Sequence, residues 1–304
     1  DHAATGYDDA FSVNVTITSS TQGIVIPPSH DAVIYSYAAG GTVSIASLFL
    51  AGIVPGIMIG LALMVLAAIL ATARNYPKGE RVPLREAVKA SGEAVLGLIT
   101  VIIIVGGVIG GVFTATESAA VAVIYAFLIT MFVYREVRWR DMPKLMHNVA
   151  KTVAMVMILI GFASGFAYMM ALMQVPAKAT DLILGISENK IVVLPLINLT
   201  LLILGTIMDV APLILICTPI FLPVIKAIGV DPVHFGIIML LSLGIGLVTP
   251  PVGSTLFAGC AIGKVPLEEV SRHLWPFWLT MLIVLMLVTF IPPLAMTIPS
   301  WARF

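Results

Sequence analysis

Long apolar runs alternate with short charged stretches along this chain. Continuous apolar sequence covers residues 48–73, 152–173 and 275–295, and apolar sequence with one interruption covers 92–134 and 191–228. A helix needs about 20 mostly apolar residues to cross a hydrocarbon core about 30 Å thick. The three continuous runs are therefore expected to be single spans, and the two interrupted runs broken helices. Two other apolar stretches have a different form. Residues 8–20 make a helix of roughly 20 Å, too short to cross. They meet Pro27 and Pro28 and are followed by a second short segment, 30–39. Residues 232–246, Pro250 and Pro251, and residues 252–263 repeat this plan. Both stretches, 8–39 and 232–263, read as re-entrant hairpins. Their irregular tips are tolerated at membrane depth only where protein or a water-filled cavity covers them.

The tips share the pattern Gly-x-x-x-Pro-Pro. Gly23 corresponds to Gly246, Pro27 to Pro250 and Pro28 to Pro251, each pair 223 residues apart. Matching helix breaks in two halves of a membrane protein point to a transport site at the repeat interface. On this reading residues 1–90 are the C-terminal part of a first repeat: hairpin 8–39, span 48–73 and basic loop 74–89. Residues 91–304 are a second repeat: broken helix 92–134, span 152–173, broken helix 191–228, hairpin 232–263 and last span 275–295. The first repeat is then shorter by roughly 130 residues, expected to precede this chain. The expected fold class is all-α and polytopic, with two structural repeats that each carry a hairpin.

Composition supports the membrane reading. Hydrophobic residues make up 60% of the chain and charged residues 11%, with a mean hydropathy of +1.09. A soluble domain carries about 25% charged residues. The formal net charge is zero, and no basic stretch escapes the loops, so nothing points to nucleic acid. The loops at 74–89 and 135–151 are rich in Arg and Lys, which favours the cytoplasm for both, although the remaining charges do not orient each hairpin. Trp139, Trp275, Trp278 and Trp301 sit near span ends, as interfacial tryptophans do, and residues 176–190 form an amphipathic segment. Cys217 and Cys260 lie in apolar sequence without metal-ligand spacing and read as buried thiols. Residues 1–9 have neither the basic start nor the apolar core of a signal peptide.

Two acids lie in apolar surroundings, where such groups are functional candidates by default. Glu117 follows Thr114 at capping-box spacing, so it is either a helix cap or part of a site. Asp209 lies among Gly205, Thr206 and Pro212 and is either an N-cap or an ion ligand in a broken helix. The tips offer hydroxyls at Ser19, Ser20 and Thr21, and at Thr249, Ser254 and Thr255. Oxygen ligands suit a hard cation such as Na⁺, and unwound helix ends add carbonyls. The helix after each Pro-Pro pair points a positive dipole end at the same place, which suits a carboxylate. His30 either meets an anionic substrate or caps the following helix, and Asp31 reads as a charge at a helix N-terminus. No Ser/His/Asp set, paired catalytic carboxylates or metal cluster stands out.

Three motifs together resemble the large membrane subunit of tripartite ATP-independent periplasmic (TRAP) transporters. They run from Ser19 through Gly23, Pro27 and Pro28 to His30, from Gly110 through Glu117 to Ala120, and from Gly246 through Pro250 and Pro251 to Gly253. The resemblance extends from about Tyr7 to about Pro293. It implies an elevator-type secondary transporter in the bacterial inner membrane, in which a transport domain carries both hairpins past a scaffold. Na⁺ would drive uptake of an organic acid that a periplasmic substrate-binding protein delivers. A small four-helix membrane subunit, separate or fused, would complete the scaffold in the lipid bilayer. Carried over by position, one Na⁺ site would draw on Ser19, Ser20, Thr21 and Gly23 with Gly111, Thr114 and Thr116. A second would draw on Gly205, Asp209, Gly246 and Thr249. The carboxylate substrate would lie near Pro27, Pro28, Ser29 and His30 on one tip and Pro250, Pro251, Gly253, Ser254 and Thr255 on the other. Many family members have an apolar residue and then Asn where this chain has Ser254 and Thr255. The smaller hydroxylated tip suits sialic acid or another sugar acid better than a C4-dicarboxylate. A channel with similar hairpins is the rival reading, and an intramembrane enzyme a further one.

Overall fold

The computed structural model describes residues 7–77 and 83–302. Every regular element among them is helical. They fall in two compact units: the described parts of Asp1–Gly79 with Gly165–Phe304, and those of Glu80–Ser164. Five helical segments are long and apolar enough to cross a membrane: Ile45–Ala73, Ala115–Val133, Trp139–Leu172, Val210–Ala227 and Leu267–Phe290. This is a multi-pass, all-α membrane architecture.

The larger unit opens with α1 (Asp9–Ser20), the short α2 (Gln22–Val25) and α3 (His30–Ala38). The Asp8 carboxylate caps α1 by accepting from Ala10 N at 3.1 Å, and the Ser29 hydroxyl caps α3 by accepting from Ala32 N at 3.3 Å. Such caps satisfy backbone donors that a helix start leaves free. The helix α4 (Ile45–Ala73) follows and leaves Ile57, Leu61, Met64 and Ile69 exposed on its outer face, as a lipid-facing stripe requires. Arg74 ends α4 and pairs with Asp8, Nη1 to Oδ2 at 3.3 Å. The rest of the expected basic loop lies partly outside the described residues, which resume before α5 (Leu84–Ile109).

In the smaller unit α5 packs on α6 (Ala115–Leu128), and the Tyr125 hydroxyl donates to Leu96 O at 3.0 Å. A π-helical turn, Ile129–Val133, extends α6 before α7 (Met142–Leu172), whose last turns belong to the larger unit. Helix α7 begins ahead of the apolar run at 152–173, because its first turns hold polar residues that hydropathy does not count.

The larger unit continues with α8 (Val175–Ile186), α9 (Lys190–Gly205), α10 (Val210–Ala227), α11 (Pro232–Leu247), α12 (Ser254–Gly263), α13 (Leu267–Phe290) and α14 (Pro293–Ala302). Helix α13 likewise starts earlier than the run at 275–295. Glu268 and Glu269 occupy its first turn, where acids suit the helix dipole. It stops at Phe290, and Ile291 and Pro292 separate it from α14.

Helix α11 is the core. Every residue from His234 to Leu247 is buried, against α9, α10, α13 and α4 and against both α2 and α3 of the first hairpin. Close approach depends on missing side chains, as is usual between membrane helices. A Cβ on Gly246 would lie 2.6 Å from Gly205 Cα, and one on Gly236 would meet the Tyr35 ring at 2.6 Å. Buried polar groups add directional links. Asn198 Nδ2 donates to Thr289 Oγ1 at 2.9 Å, and His234 Nε2 lies 2.8 Å from Val288 O, which ties α9 and α11 to α13.

Candidate functional site

The first tip rests on a stripe of glycines. Gly52, Gly56 and Gly60 recur every fourth residue and share one face of α4. A Cβ on Gly52 would strike Val25 O, one on Gly56 would strike the Ile26 side chain, and one on Gly60 would meet the Gln22 amide at 3.0 Å. Tip backbone therefore lies directly on helix backbone at Gly52, and tip side chains fill the space at Gly56 and Gly60. Helix α3 then leads away, held by the Tyr35 hydroxyl donating to Pro232 O at 2.7 Å.

Three hydroxyls crowd the end of α1. Ser19 Oγ donates to Thr16 O at 3.0 Å, Ser20 Oγ to Ile17 O at 2.7 Å and Thr21 Oγ1 to Thr18 O at 2.7 Å. With their protons directed at the preceding helical turn, these groups offer lone pairs to whatever faces them. Gly23 has open space around it, and the Pro27–Pro28 bond is cis. Ser29 is buried, capping α3 and donating to Ile24 O. His30 is exposed and is the first residue of α3, with Ser29 in the capping position.

The second tip has the same outline and different chemistry. The Pro250–Pro251 bond is also cis. Gly253 occupies the capping position of α12 with φ +48° and supplies no capping side chain. A Cβ there would lie 2.8 Å from Leu247 O, so both the conformation and the space call for glycine. Gly253 N donates to Thr206 O at 2.9 Å, which ties this tip to the break between α9 and α10. Thr249 Oγ1 donates to Ile245 O at 2.6 Å and accepts from Trp278 Nε1 at 2.9 Å. Together with Pro250, Ser271, Leu274, Trp275 and Trp278 it lines a largely apolar cavity of about 250 Å³. Pro251 and Ser254 are exposed.

The two tips and the α9–α10 break meet at a second, more polar cavity of about 240 Å³. Ser20, Thr21, His30 and Asp31 reach it from the first hairpin, Thr255 from the second, and Asp209 from the start of α10. Asp209 caps α10 by accepting from Val210 N at 3.0 Å, as the N-cap reading expects, and it also lines this cavity. Thr249 faces the other cavity. The links between the second tip and residues 205–209 are instead the Gly205–Gly246 contact and the Gly253–Thr206 bond.

Asp31 belongs to this site as well. Its side chain is only 3% exposed, and its Oδ1 makes an ion-pair contact with His30 Nε2 at 3.1 Å that falls outside hydrogen-bond geometry. As a residue in the first turn of α3 it fits a dipole explanation, which hides its second role. The signal available in the sequence was an acid directly beside a helix break inside an apolar hairpin. Among the described residues no group of three or more His, Cys, Asp and Glu side chains could hold a metal ion. A cation here would rely on hydroxyl and carbonyl oxygens with one or two carboxylates.

Gly111, Thr114 and Thr116 lie in the smaller unit. Gly111 has φ +64° in the turn after α5. Thr114 and Glu117 form a reciprocal capping box at the start of α6: Glu117 Oε2 accepts from Thr114 N at 2.8 Å, and Thr114 Oγ1 accepts from Glu117 N at 3.3 Å. Thr116 is exposed on the first turn of α6.

Residues 2–294 match the family model of the tripartite ATP-independent periplasmic transporter, DctM component. A protein of Salmonella typhimurium named YgiK, described as uncharacterized, is 44% identical over 97% of this chain and 67% of its own length. The C4-dicarboxylate TRAP transporter large permease protein of Pseudomonas aeruginosa is 38% identical over 97% of this chain and 69% of its own length. The sialic acid TRAP transporter large permease protein of Vibrio cholerae is 36% identical over 97% and 68%. The chain thus spans about two thirds of the length of these relatives.

Proposed function

We propose a transport mechanism from the premise that this chain belongs to the DctM component family of tripartite ATP-independent periplasmic transporters. As a large permease subunit it serves secondary uptake of an organic acid supplied by a substrate-binding protein. The finer reading is Na⁺-coupled symport in the inner membrane by an elevator movement, with a small membrane subunit completing the scaffold.

The observation that carries this reading is the cavity lined jointly by both hairpin tips and Asp209. Oxygen acceptors at Ser20 and Thr21, whose protons are already committed, suit a desolvated cation. Helix starts from both hairpins face the same region and favour a substrate carboxylate. Na⁺ would offset the negative charge of Asp31 and Asp209 and so make the site acceptable to an anion. Binding of the two would then be mutually favourable, as symport requires. The two hairpins pack into one compact unit with α4, α10, α11 and α13, as a body that moves intact would need. A sugar acid such as sialic acid suits the hydroxylated second tip better than a small dicarboxylate.

The test is uptake into proteoliposomes holding the full-length large subunit, its small partner and the matching binding protein. Uptake of a labelled acid should require both the binding protein and an inward Na⁺ gradient. Uptake unchanged when K⁺ replaces Na⁺ would defeat the coupling, and uptake independent of the binding protein would defeat delivery by it.

A further inference from the structure

The loop between α6 and α7 gathers positive charge at the end of a membrane span. Helix α6 and its π-helical turn form the apolar segment Ala115–Val133, and the exposed Trp139 follows shortly after, where interfacial tryptophans occur. π-Helical turns interrupt regular helices and are frequent at functional sites. Arg135 then takes φ +55°, a left-handed conformation that L side chains adopt only at a cost. Arg138 is extended, and Asp141 Oδ2 accepts from Arg138 N at 3.1 Å to start the 3₁₀ turn Trp139–Asp141. The Trp139 ring meets Phe127 edge-on, with centroids 6.0 Å apart. These bends bring Arg135, Arg138 and Trp139 onto one cavity of about 490 Å³, with Met131, Phe132 and Val137. Both arginines are exposed, and among the described residues neither forms an ion pair. Arg140 and Lys144 add two cations nearby, against the acids Glu136 and Asp141, so positive charge is in excess beside an apolar wall.

We propose that this cavity holds the headgroup of an anionic phospholipid of the cytoplasmic leaflet. One phosphodiester lies between Arg135 and Arg138, because a planar guanidinium pairs with phosphate oxygens through two parallel N–H bonds. The glycerol and first acyl carbons lie on Met131, Phe132 and Val137. The apolar wall decides between a lipid and a free phosphate, since a soluble anion gains nothing from burying Met131 and Phe132. The excess of cations decides between an anionic and a zwitterionic lipid, since a headgroup ammonium would enter a field that is already positive. Basic loops of this kind favour the cytoplasmic side, where anionic lipids give the leaflet a negative surface potential. The proposal is independent of the transport reading above.

Native mass spectrometry of the full-length large subunit with its small partner reads lipid binding directly. The complex, delipidated in detergent, is titrated with dioleoyl-phosphatidylglycerol or with dioleoyl-phosphatidylcholine. The first phosphatidylglycerol should bind roughly tenfold more tightly than the first phosphatidylcholine. Arg135→Asn combined with Arg138→Gln should remove most of that preference, asparagine being chosen because it tolerates left-handed backbone. Arg138→Gln alone should lower the preference several-fold and keeps the test decisive if the pair reduces the folded yield. Lys178→Gln, which removes an exposed cation of α8, should leave the preference unchanged. Inorganic phosphate at the same concentration should not displace phosphatidylglycerol. Equal binding of the two lipids by the native complex, or a preference that survives loss of both arginines, would overturn the proposal. Displacement by inorganic phosphate would overturn it in favour of a site for free anions.

Discussion

Gly253 N donates to Thr206 O across 2.9 Å, so the second hairpin tip is bonded to the break between α9 and α10. The two elements lie far apart in the chain, yet Gly205 and Gly246 bring their helices into backbone contact just below this bond. Any side chain at either glycine would separate them. Gly246→Val is expected to destabilise the protein by about 1–3 kcal/mol through overpacking. Thermal unfolding of the purified protein in detergent measures this, and an unchanged midpoint would contradict the contact.

The first tip offers an internal control. Gly23 has no atom within 4 Å of the position a Cβ would take, whereas one on Gly56 would strike Ile26. Gly23→Ala is expected to stay within about 0.5 kcal/mol of the native protein. Gly56→Ala is expected to cost at least about 1 kcal/mol. Equal unfolding midpoints for the two variants would sink the argument.

The hydroxyls of the two tips are expected to separate by function. Ser20 faces the acid-lined cavity, and Ser20→Ala should raise the Na⁺ concentration for half-maximal uptake roughly threefold or more. Thr249 accepts from Trp278 Nε1, and Thr249→Val should shift the indole emission by removing that partner. Trp278→Phe in the same background identifies the emission as that of Trp278. An emission spectrum unchanged by Thr249→Val would show that the bond is absent.

A fourth prediction concerns the core and is read by thermal unfolding in detergent. Thr289→Val leaves Asn198 Nδ2 without its acceptor between α9 and α13. The expected cost is about 1 kcal/mol, within the range for hydrogen bonds between membrane helices. The pair Asn198→Leu with Thr289→Val should recover part of it, since the stranded Nδ2 is gone and only the long 3.5 Å bond from Ser242 Oγ to Asn198 Oδ1 is lost with it. A double variant with the summed loss of both single variants would rule out the coupling.

Much of the architecture was legible because lipid imposes a coarse rule. Residues 48–73 had to be a span, and the helix found there is Ile45–Ala73. Pro27–Pro28 and Pro250–Pro251 had to interrupt their helices, and each pair separates two short ones. Helix starts were less visible. The first turns of α7 and α13 hold charged and polar residues, which a helix accepts but a hydropathy profile discounts. In the site, Ser20, Thr21, His30, Asp209 and Thr255 were candidates from their residue types, and they line one cavity. Asp31 was not, because its position two residues past a cap already explained an acid there. The placement of Thr249 against Trp278 depends on how α13 passes the second tip, a long-range packing relation that local spacing does not encode.

The glycines at 52, 56 and 60 make the first hairpin asymmetric in its freedom. On the α4 side Val25 O lies against Gly52 and the Ile26 and Gln22 side chains lie against Gly56 and Gly60, so movement that way is blocked unless the whole helix goes with it. Ile24 and Thr21 also close on Gly244 of α11, whose missing side chain leaves 3.2 Å between a Cβ there and Ile24. The loop is thus gripped from two sides like a tongue in a groove. What occupies the cavity of about 240 Å³ touches it along a third edge, at Ser20, Thr21, Ile24, His30 and Asp31, and any influence of a ligand on the hairpin enters there.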